Sequence, residues 1–205
     1  IEDKPVTDKQ VVAQMKEMFP ILKGAKLVTS SSKPDAPYPF FHVQFHEGVR
    51  IGYADYTKKG GHLLSLLIER PIGKDRITQA QMKQKAEKAI KSFGFDDVEL
   101  VEIRENHLVW HVVFVRINPT NNARIYADGI QMKLAKDDGE VLGINTMEYI
   151  QKETLPEQKT VTIDWKEFFT DQVTLENERL AYTENEQLQQ RLCYEVLLLK
   201  ETKDE

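Results

Sequence analysis

Two histidine pairs with the same spacing are the residues best suited to chemistry in this sequence. His42 and His46 are four residues apart, and so are His107 and His111. A histidine ring can bind a metal ion or transfer a proton near neutral pH. In a β-strand this spacing places both side chains of a pair on one face, but about 13 Å apart. A metal would therefore need another ligand from a neighbouring strand. A polar, solvent-facing side of a sheet explains the same spacing, and we predict no metal ligands.

Serine, cysteine and aspartate residues offer further candidates for catalysis. Ser30–Ser32 lie in a proline-containing segment without a G-x-S-x-G motif, which favours a loop over a nucleophile. Cys193 lies in an apolar segment, which favours a buried structural thiol. Asp96–Asp97 and Asp137–Asp138 fall in predicted turns, and turn chemistry explains them. The sequence also lacks the P-loop, dinucleotide-binding and EF-hand motifs. We therefore predict no catalytic residue and no cofactor.

One segment has the pattern of a β-hairpin, and the rest of the chain follows the same plan. Ile130, Met132 and Leu134 fall at every second position, which places three apolar side chains on one strand face. Asp138–Gly139 follows, and this dipeptide suits the positive φ angles of a tight turn. Residues 141–144 are rich in β-formers and begin the return strand.

A similar hairpin pattern occurs earlier in the chain. Residues 53–55 and 126–128 both read Tyr-Ala-Asp. Residues 57–64 match residues 135–142, and the turn glycines of the two stretches are 78 positions apart. Common solenoid repeats are shorter than this, so the repeat indicates small domains in tandem.

Helix and strand patterns divide the chain into three units. Thr7 and Thr78 are suited to cap helices over residues 7–19 and 78–94, and each helix carries an apolar stripe. A third helix is predicted over residues 163–172. Strands are predicted over residues 41–46, 49–54, 63–68, 98–103, 108–117, 174–182 and 191–199, and a loop over residues 30–39.

These elements predict an α+β fold of tandem units, each a helix packed on a small antiparallel sheet. We place the units at residues 1–72, 73–153 and 154–205. The third unit lacks a final glycine-containing hairpin, so we expect it to be incomplete and to expose a strand edge.

Two segments contain residue types that are frequent in protein interfaces. The third predicted helix contains Trp165, Phe168 and Phe169, and aromatic anchors often dominate binding energy. Packing of this helix on its own sheet is the favoured explanation of these residues. Residues 124–128 mix arginine and tyrosine, and both an interface and a strand start fit them.

The charge distribution argues against nucleic-acid binding. Residues 1–70 carry a balance of +2, residues 71–153 a balance of −1, and residues 154–205 a balance of −6. Sequence-independent binding to nucleic acid needs a basic face. The sequence has no apolar run of transmembrane length, and its single cysteine excludes an intrachain disulfide. Since the first residue is Ile1, we expect a fragment or a processed form.

The hairpin segments resemble the PepSY domain. The resemblance rests on Thr57–His62, on the stretch from Tyr126 to Gly143, and on Arg179–Tyr182 together with Leu192–Val196. Three such units in this order are similar to the C-terminal region of the YpeB family of spore germination proteins. The resemblance spans nearly the whole chain, and its one departure is the missing final hairpin of the third unit.

The resemblance implies a non-enzymatic protein of spore germination. Members of this family are expected outside the inner spore membrane, held there by an N-terminal membrane segment that this sequence does not contain. The implied partner is the cortex-lytic enzyme SleB, a peptidoglycan hydrolase that the PepSY region is expected to stabilise and restrain. The peptidoglycan cortex is a further expected contact. A peptidase-inhibitor or propeptide-like module is the alternative, and a metal-dependent hydrolase using the histidine-bearing faces is a third hypothesis.

Overall fold

Most of the chain is built around one large β-sheet. A computed structural model of the protein describes residues 4–36, 38–151, 155 and 173–200. Its described elements are ten strands and a few helices, which confirms the predicted α+β class and the antiparallel sheet. In this part of the chain, no helix is long and apolar enough to span a membrane.

The bounds of the elements agree closely with the sequence pattern, and every predicted strand overlaps an observed one. The helices are α1 (Asp8–Met18), a 3-10 turn (Pro20–Leu22), α2 (Gln79–Ser92) and α3 (Met147–Gln151). The strands are β1 (Lys26–Ser31), β2 (Phe40–Glu47), β3 (Arg50–Thr57), β4 (Leu63–Glu69), β5 (Val98–Glu105), β6 (Val109–Ile117), β7 (Arg124–Ala135), β8 (Val141–Asn145), β9 (Val173–Glu184) and β10 (Gln190–Lys200).

The strands of the sheet follow the order β1-β2-β3-β4-β8-β7-β6-β5, and each neighbouring pair is antiparallel. The two central strands, β4 and β8, pair through Ser65–Leu67 and Gly143–Asn145. The first four strands and the next four therefore form one continuous sheet, which the sequence pattern does not predict. β9 pairs in parallel with β7 at Arg124 and Ile125, and β10 pairs with β9.

Both long helices begin at the threonines that the sequence predicts as caps. The side chain of Thr7 accepts a hydrogen bond from the backbone of Gln10, and Thr78 accepts one from the backbone of Gln81. Each glutamine side chain bonds back to the backbone of its threonine, so both caps are capping boxes. A capping residue of this kind stabilises a helix by about 1 kcal/mol, and it sets the residue at which each helix starts.

The core lies between the two long helices and one face of the sheet. On that face, a row of directly paired residues crosses eight strands as Thr29, Val43, Ala54, Leu66, Ile144, Met132, Val112 and Ile103. Val11 and Met15 of α1 belong to the same hydrophobic cluster as Met82 and Ile90 of α2. Full burial of an aliphatic side chain contributes about 1.5–3 kcal/mol. The two helices and the whole eight-stranded sheet thus share one core.

The predicted strand position of His107 is wrong. We expected His107 and His111 in one strand, but β6 begins at Val109 and His107 lies in the preceding turn. Asn106 explains the difference, because its side-chain oxygen accepts hydrogen bonds of 2.9 Å from the backbone N–H groups of Leu108 and Val109. These bonds hold the turn and delay the start of the strand.

The predicted loop over residues 30–39 begins too early. Ser30 and Ser31 belong to β1, where they pair with His42 and Phe41 of β2. The backbone groups on this side of β2 need hydrogen-bond partners, and β1 supplies them although its side chains are polar.

The third predicted helix, over residues 163–172, lies outside the described residues, and so do Trp165, Phe168 and Phe169. The predicted strands that follow this helix are confirmed as β9 and β10. The three predicted unit boundaries stay predictions, since one continuous sheet does not mark them.

Candidate functional site

Two rows of paired residues form the sheet face opposite to α1 and α2. The first row crosses the strands as Val28, Gln44, Tyr53, Leu67, Gly143, Lys133, His111 and Arg104. The second row crosses them as Ser30, His42, Asp55, Ser65, Asn145, Gln131, Val113 and Glu102. We refer to this surface as the polar face, because most of these side chains carry charged or hydrogen-bonding groups. Side chains alternate between faces along a strand, so the alternation that fills the core also builds this face.

A groove of about 580 Å³ crosses the middle of the polar face. We refer to it as the central groove. Its lining includes Tyr53, Ser65, Leu67, Arg104, His111, Val113, Gln131, Lys133, Gly143 and Asn145. Ser65 and Gly143 belong to the two central strands, and their small size keeps the middle of the face low. The joint between the two halves of the sheet is therefore also the floor of the groove.

A hydrogen-bonded group lies beside the groove in the first half of the sheet. His42 Nδ1 is 2.5 Å from Asp55 Oδ1, and the Ser65 hydroxyl donates a hydrogen bond of 2.7 Å to Asp55 Oδ2. The ring of Tyr53 packs against the ring of His42, with 5.0 Å between centroids. The carboxylate of Asp55 is therefore already engaged on both oxygens.

The second half of the sheet places a free cation in the groove. Lys133 is half-buried, and within the described part of the chain it has no hydrogen bond or ion pair. Its side chain lies over Gly143, since a Cβ atom built on that glycine would be 3.5 Å from Lys133 Cβ and Cε. Arg104 is at the rim of the groove, where it pairs with Glu102 in an exposed ion pair. The groove is therefore positively charged at this end.

Asp55 and Lys133 occupy equivalent positions in the two halves of the sheet. Asp55 of β3 pairs with His42 of β2, and Lys133 of β7 pairs with His111 of β6. Asp55 and Lys133 are 78 positions apart, which is the spacing of the turn glycines, whereas the two Tyr-Ala-Asp stretches are 73 positions apart and do not occupy equivalent positions in the sheet. The repeat thus carries opposite charges at this position, and the two ends of the groove differ in charge.

The geometry of the polar face suits binding and does not match a hydrolytic triad. In a Ser-His-Asp triad the histidine lies between the other two residues and takes the proton of the serine. Here Asp55 lies in the middle, between Ser65 and His42. Among the described residues, no group of three or more His, Cys, Asp or Glu side chains could hold a metal ion. The groups in the groove can donate and accept hydrogen bonds and attract an anion.

The other residues singled out from the sequence lie away from the groove. His46 is exposed, and its Nε2 atom is 3.1 Å from the carbonyl oxygen of Gly48. The Ser32 hydroxyl accepts a hydrogen bond of 3.0 Å from the backbone N–H of Phe40. The Cys193 thiol is half-buried and donates a hydrogen bond of 3.4 Å to a backbone carbonyl of β9. Each of these side chains contacts its own hairpin, and the structure does not bring them together.

A group of ion pairs holds the two halves of the sheet together. The Arg70 side chain is 5% exposed and donates hydrogen bonds of 2.5–3.0 Å to Asp137, Asp138 and Glu140 in and after the β7–β8 turn. Arg50 of β3 binds Glu140 through two more hydrogen bonds. The sequence predicts Asp137–Asp138 only as turn residues, and no local pattern marks Arg70 as their partner. These ion pairs fix the β7–β8 turn to the end of β4.

Two carboxylates of this group, those of Asp137 and Glu140, are held in their charged forms. Hydrogen bonds from Arg70 lower the pKa of Asp137 below its ordinary value, against an opposing effect of burial. Burial acts to raise the pKa of Glu140, but hydrogen bonds from Arg50 and Arg70 outweigh it and lower that pKa. The carboxylates of Asp137 and Glu140 therefore stay charged over the physiological pH range, and their ion pairs stabilise the joint between the two halves.

Arg116 anchors α3 to the sheet from a nearly buried position. Its Nε atom donates a hydrogen bond of 2.7 Å to Asp128, and its Nη1 atom donates one of 3.1 Å to Asp97. The guanidinium lies 3.7 Å from the ring centroid of Tyr149 in α3. Burial and the hydrogen bond to Asp97 raise the pKa of the Tyr149 hydroxyl. Asp97, predicted as a turn residue, is therefore a structural partner of the arginine.

The segment over residues 124–128 connects the sheet to β9 and β10. Arg124 donates a hydrogen bond of 3.0 Å to Glu99, and Arg179 of β9 binds the same carboxylate. The single proton of the Tyr126 hydroxyl is donated to the Glu195 carboxylate of β10, whose two oxygens lie 2.7 and 2.8 Å from the hydroxyl oxygen. The arginine and tyrosine of this segment are thus engaged within the chain.

Comparison with known proteins identifies the family. The model of the family "YpeB sporulation, PepSY1 and PepSY2 domains" matches residues 1–158. The sporulation protein YpeB of Oceanobacillus iheyensis is 27% identical over 195 residues, which cover 94% of this chain and 43% of that protein. The sporulation protein YpeB of Bacillus subtilis is 30% identical over 177 residues, which cover 84% of this chain and 39% of that protein. The chain spans about two fifths of the length of these relatives.

A solved structure has the same fold. The Bacillus megaterium YpeB C-terminal domain matches with a TM-score of 0.88 and 24% sequence identity, over 96% of this chain and 89% of that chain. At this identity the likeness shows the fold alone, and the family rests on the match over residues 1–158. By that match the chain belongs to the YpeB family of sporulation proteins, and it corresponds to their C-terminal PepSY region.

Proposed function

We propose that the chain is a non-enzymatic binding module that acts in sporulation by holding a protein partner. The family relates the chain to sporulation. The observation that supports a binding role most directly is the central groove, whose lining combines hydrogen-bonding side chains with Lys133, a cation without a partner among the described residues. Ser65, Asp55 and His42 line up in an order that provides no activated nucleophile. The groove is therefore built for recognition.

The partner we propose is the cortex-lytic enzyme SleB, which the module stabilises and restrains. A rigid, preformed surface loses little conformational freedom on binding, so it suits a protein that holds another protein for long periods. The Arg70 ion pairs and the shared core supply that rigidity across the sheet. The proposed place of action is extracytoplasmic, at the outer face of the inner spore membrane, with the peptidoglycan cortex as a neighbouring surface.

We include tandem units in this proposal. A helix and four strands at residues 1–72, a second helix and four strands at residues 73–153, and an edge-to-edge joint at β4 and β8 account for the strand order. Each copy contributes half of the polar face. Duplication of a small helix-on-sheet unit thus explains how a chain of this length acquired a broad, groove-bearing surface.

The test uses the purified chain and purified SleB. We expect a complex by calorimetry, slower hydrolysis of cortex peptidoglycan, and a longer half-life of SleB under trypsin when the chain is present. Heat-unfolded chain at the same concentration serves as the control. If the folded chain neither binds SleB nor changes these two rates, the proposal is wrong. Inhibition of members of a peptidase panel, with no effect on SleB, would instead support the peptidase-inhibitor alternative.

A further inference from the structure

We infer that the central groove binds an extended, acidic peptide segment of a protein partner. This inference rests on the proposed function and names the surface and the chemistry by which the partner is held. The groove runs across the strands from Tyr53 on β3 to Arg104 on β5. With a strand spacing of about 4.8 Å, this path across six strands is about 24 Å long. About seven residues of extended chain span that distance.

The charge of the groove selects an acidic ligand. Lys133 is half-buried and unpaired among the described residues, so the groove contains a positive charge without its own counter-ion. Arg104 pairs with Glu102, but both side chains are well exposed, and such pairs are weak and easily exchanged. Asp55 is occupied by His42 and Ser65. A carboxylate entering the groove therefore meets two cations and no free acid, on a chain whose net charge is −5.

The remaining lining favours a peptide over other anions. The amide side chains of Gln131 and Asn145 are exposed in the groove, and amides suit the N–H and C=O groups of a peptide backbone. The Asn145 oxygen already accepts a hydrogen bond from the backbone N–H of Met147, so Asn145 offers its NH2 donors. Leu67 and Val113 are half-buried and offer apolar contact to peptide side chains. A phosphate polymer is held by many basic contacts, whereas this groove has two basic side chains besides a histidine. Tyr53, the aromatic ring that a sugar would stack on, already packs against His42.

Because Lys133 lies near the joint of the two halves, its contact with a carboxylate falls near the middle of the bound peptide. Lys133 belongs to β7 and lies over Gly143 of β8, next to the centre of the groove. An acidic residue near the middle of the bound segment would reach Lys133, and a second one towards its end would reach Arg104. Specificity in this arrangement comes from the pattern of carboxylates along an extended chain.

The experiment measures the binding of defined octapeptides by fluorescence anisotropy at low salt. The probe is a labelled peptide of four Glu-Thr repeats, and peptides of four Gln-Thr and four Lys-Thr repeats are the matched controls. We expect the Glu-Thr peptide to bind the native chain at least tenfold more tightly than either control. Lys133→Gln should weaken that binding at least fivefold. Lys88→Gln, the same charge change at an exposed position on α2, should alter it less than twofold.

A second variant tests the shape of the groove without changing its charge. Gly143→Val fills the floor of the groove and displaces Lys133. It should weaken the binding of the Glu-Thr peptide as much as Lys133→Gln does. Thermal unfolding of each variant checks that the fold is intact. Equal weakening by Lys133→Gln and Lys88→Gln would show an unspecific charge effect and overturn the inference. Tighter binding of oligogalacturonate or polyphosphate than of the Glu-Thr peptide would also overturn it.

The outcomes separate this inference from the proposed function. If the native chain and the Lys133→Gln variant bind SleB equally well, the proposed function stands and the central groove is not the surface that binds SleB. If the chain binds the Glu-Thr peptide through Lys133 but does not bind SleB, the central groove stands as a peptide-binding site and SleB is not the partner.

Discussion

Lys133 lies directly opposite Gly143 across β7 and β8, and its side chain passes over that glycine in the middle of the polar face. Only a residue without a bulky side chain leaves room for this crossing. The equivalent position in the first half of the sheet is Asp55, which is bound to His42 and Ser65. Two halves with related sequences therefore differ in charge at the position that decides what the central groove attracts.

Alanine should destabilise the fold much more at the strand glycine Gly52 than at the strand glycine Gly143. A Cβ atom on Gly52 would overlap the carbonyl oxygen of Leu67 and lie 2.9 Å from Phe45 Cζ, so neighbouring backbone has to move. Gly52→Ala should lower the free energy of unfolding by about 2 kcal/mol. The nearest contacts of a Cβ atom on Gly143 are 3.5 Å, which is ordinary packing. Gly143→Ala should change the free energy of unfolding by less than about 1 kcal/mol. Urea unfolding of both variants measures the difference, and equal losses would refute this account of the groove floor.

Arg70 is expected to be the most important residue of the joint between the halves. Its side chain is 5% exposed and binds three carboxylates, so Arg70→Met leaves the partly buried Asp137 without its cationic partner and leaves Glu140 with Arg50 alone. We expect a loss of about 2–3 kcal/mol in the free energy of unfolding, which is less than the roughly 3–5 kcal/mol for a fully buried pair because the carboxylates are partly exposed. Chemical denaturation measures it.

The matched control for this variant is Arg104→Met, which removes an exposed ion pair with Glu102. Such a pair contributes little to stability, and we expect no measurable change. A similar stability loss in both variants would mean that the Arg70 ion pairs do not hold the halves together.

Asp128 should be required for the position of α3. Its side chain is 3% exposed and accepts a hydrogen bond of 2.7 Å from Arg116, whose guanidinium also lies over the Tyr149 ring. Asp128→Asn keeps the shape and removes the charge, so a charge-assisted hydrogen bond becomes a weaker one. We expect a loss of about 2 kcal/mol, measured by thermal unfolding, together with faster amide exchange in α3. Asp96→Asn, an exposed control in the same turn as Asp97, should leave both readouts unchanged.

Acid should weaken the attachment of β9 to the sheet through Glu99. The hydrogen bond from Arg124, opposed by partial burial and aided by the hydrogen bond from Arg179, lowers the pKa of Glu99 from 4.5 to about 2. A carboxylate whose pKa is lower in the folded state contributes stability that is complete above its unfolded pKa. That contribution is lost as the pH falls towards the folded pKa. The stability due to Glu99 should therefore be complete at pH 6.5 and largely lost by pH 2.5.

The measurement compares the native chain with Glu99→Gln in urea at pH 6.5 and at pH 3. The native chain should be the more stable at pH 6.5, and the difference should shrink by about half or more at pH 3. Glu17→Gln on the exposed side of α1 is the control, and its difference should not depend on pH in this way. A difference that grows in acid would contradict the assigned ion pairs.

Local patterns explain why much of the fold could be predicted from the sequence. The alternation of Ile130, Met132 and Leu134 follows the two-residue period of a strand, and all three side chains are buried. Thr7 and Thr78 cap their helices through hydrogen bonds to residues three positions away. Each of these signals lies within a short stretch of chain, where sequence spacing fixes spatial distance.

The candidate site could not be predicted because it depends on contacts distant in sequence. β4 and β8 join through three pairs of residues, and neither strand carries a local signal for this partner. Arg70 binds Asp137, which is 67 positions away. The match of the two Tyr-Ala-Asp stretches aligns Asp55 with Asp128, so the register of the strands is needed to align Asp55 with Lys133 and to place Lys133 in a groove. In the sequence, only the spacing of the four histidines indicated the polar face. One of them, His107, lies in the turn held by Asn106 and not in β6.

Site-specific photo-cross-linking in spores tests directly whether the central groove holds the cortex-lytic enzyme. A photoreactive amino acid replaces Gln131 in the central groove of the full-length protein, and a second strain carries it at Lys88 on the exposed side of α2. The account predicts that the Gln131 position yields a covalent adduct with the cortex-lytic enzyme through an acidic peptide, and that the Lys88 position does not. An adduct with that enzyme from Lys88 and none from Gln131 would contradict it.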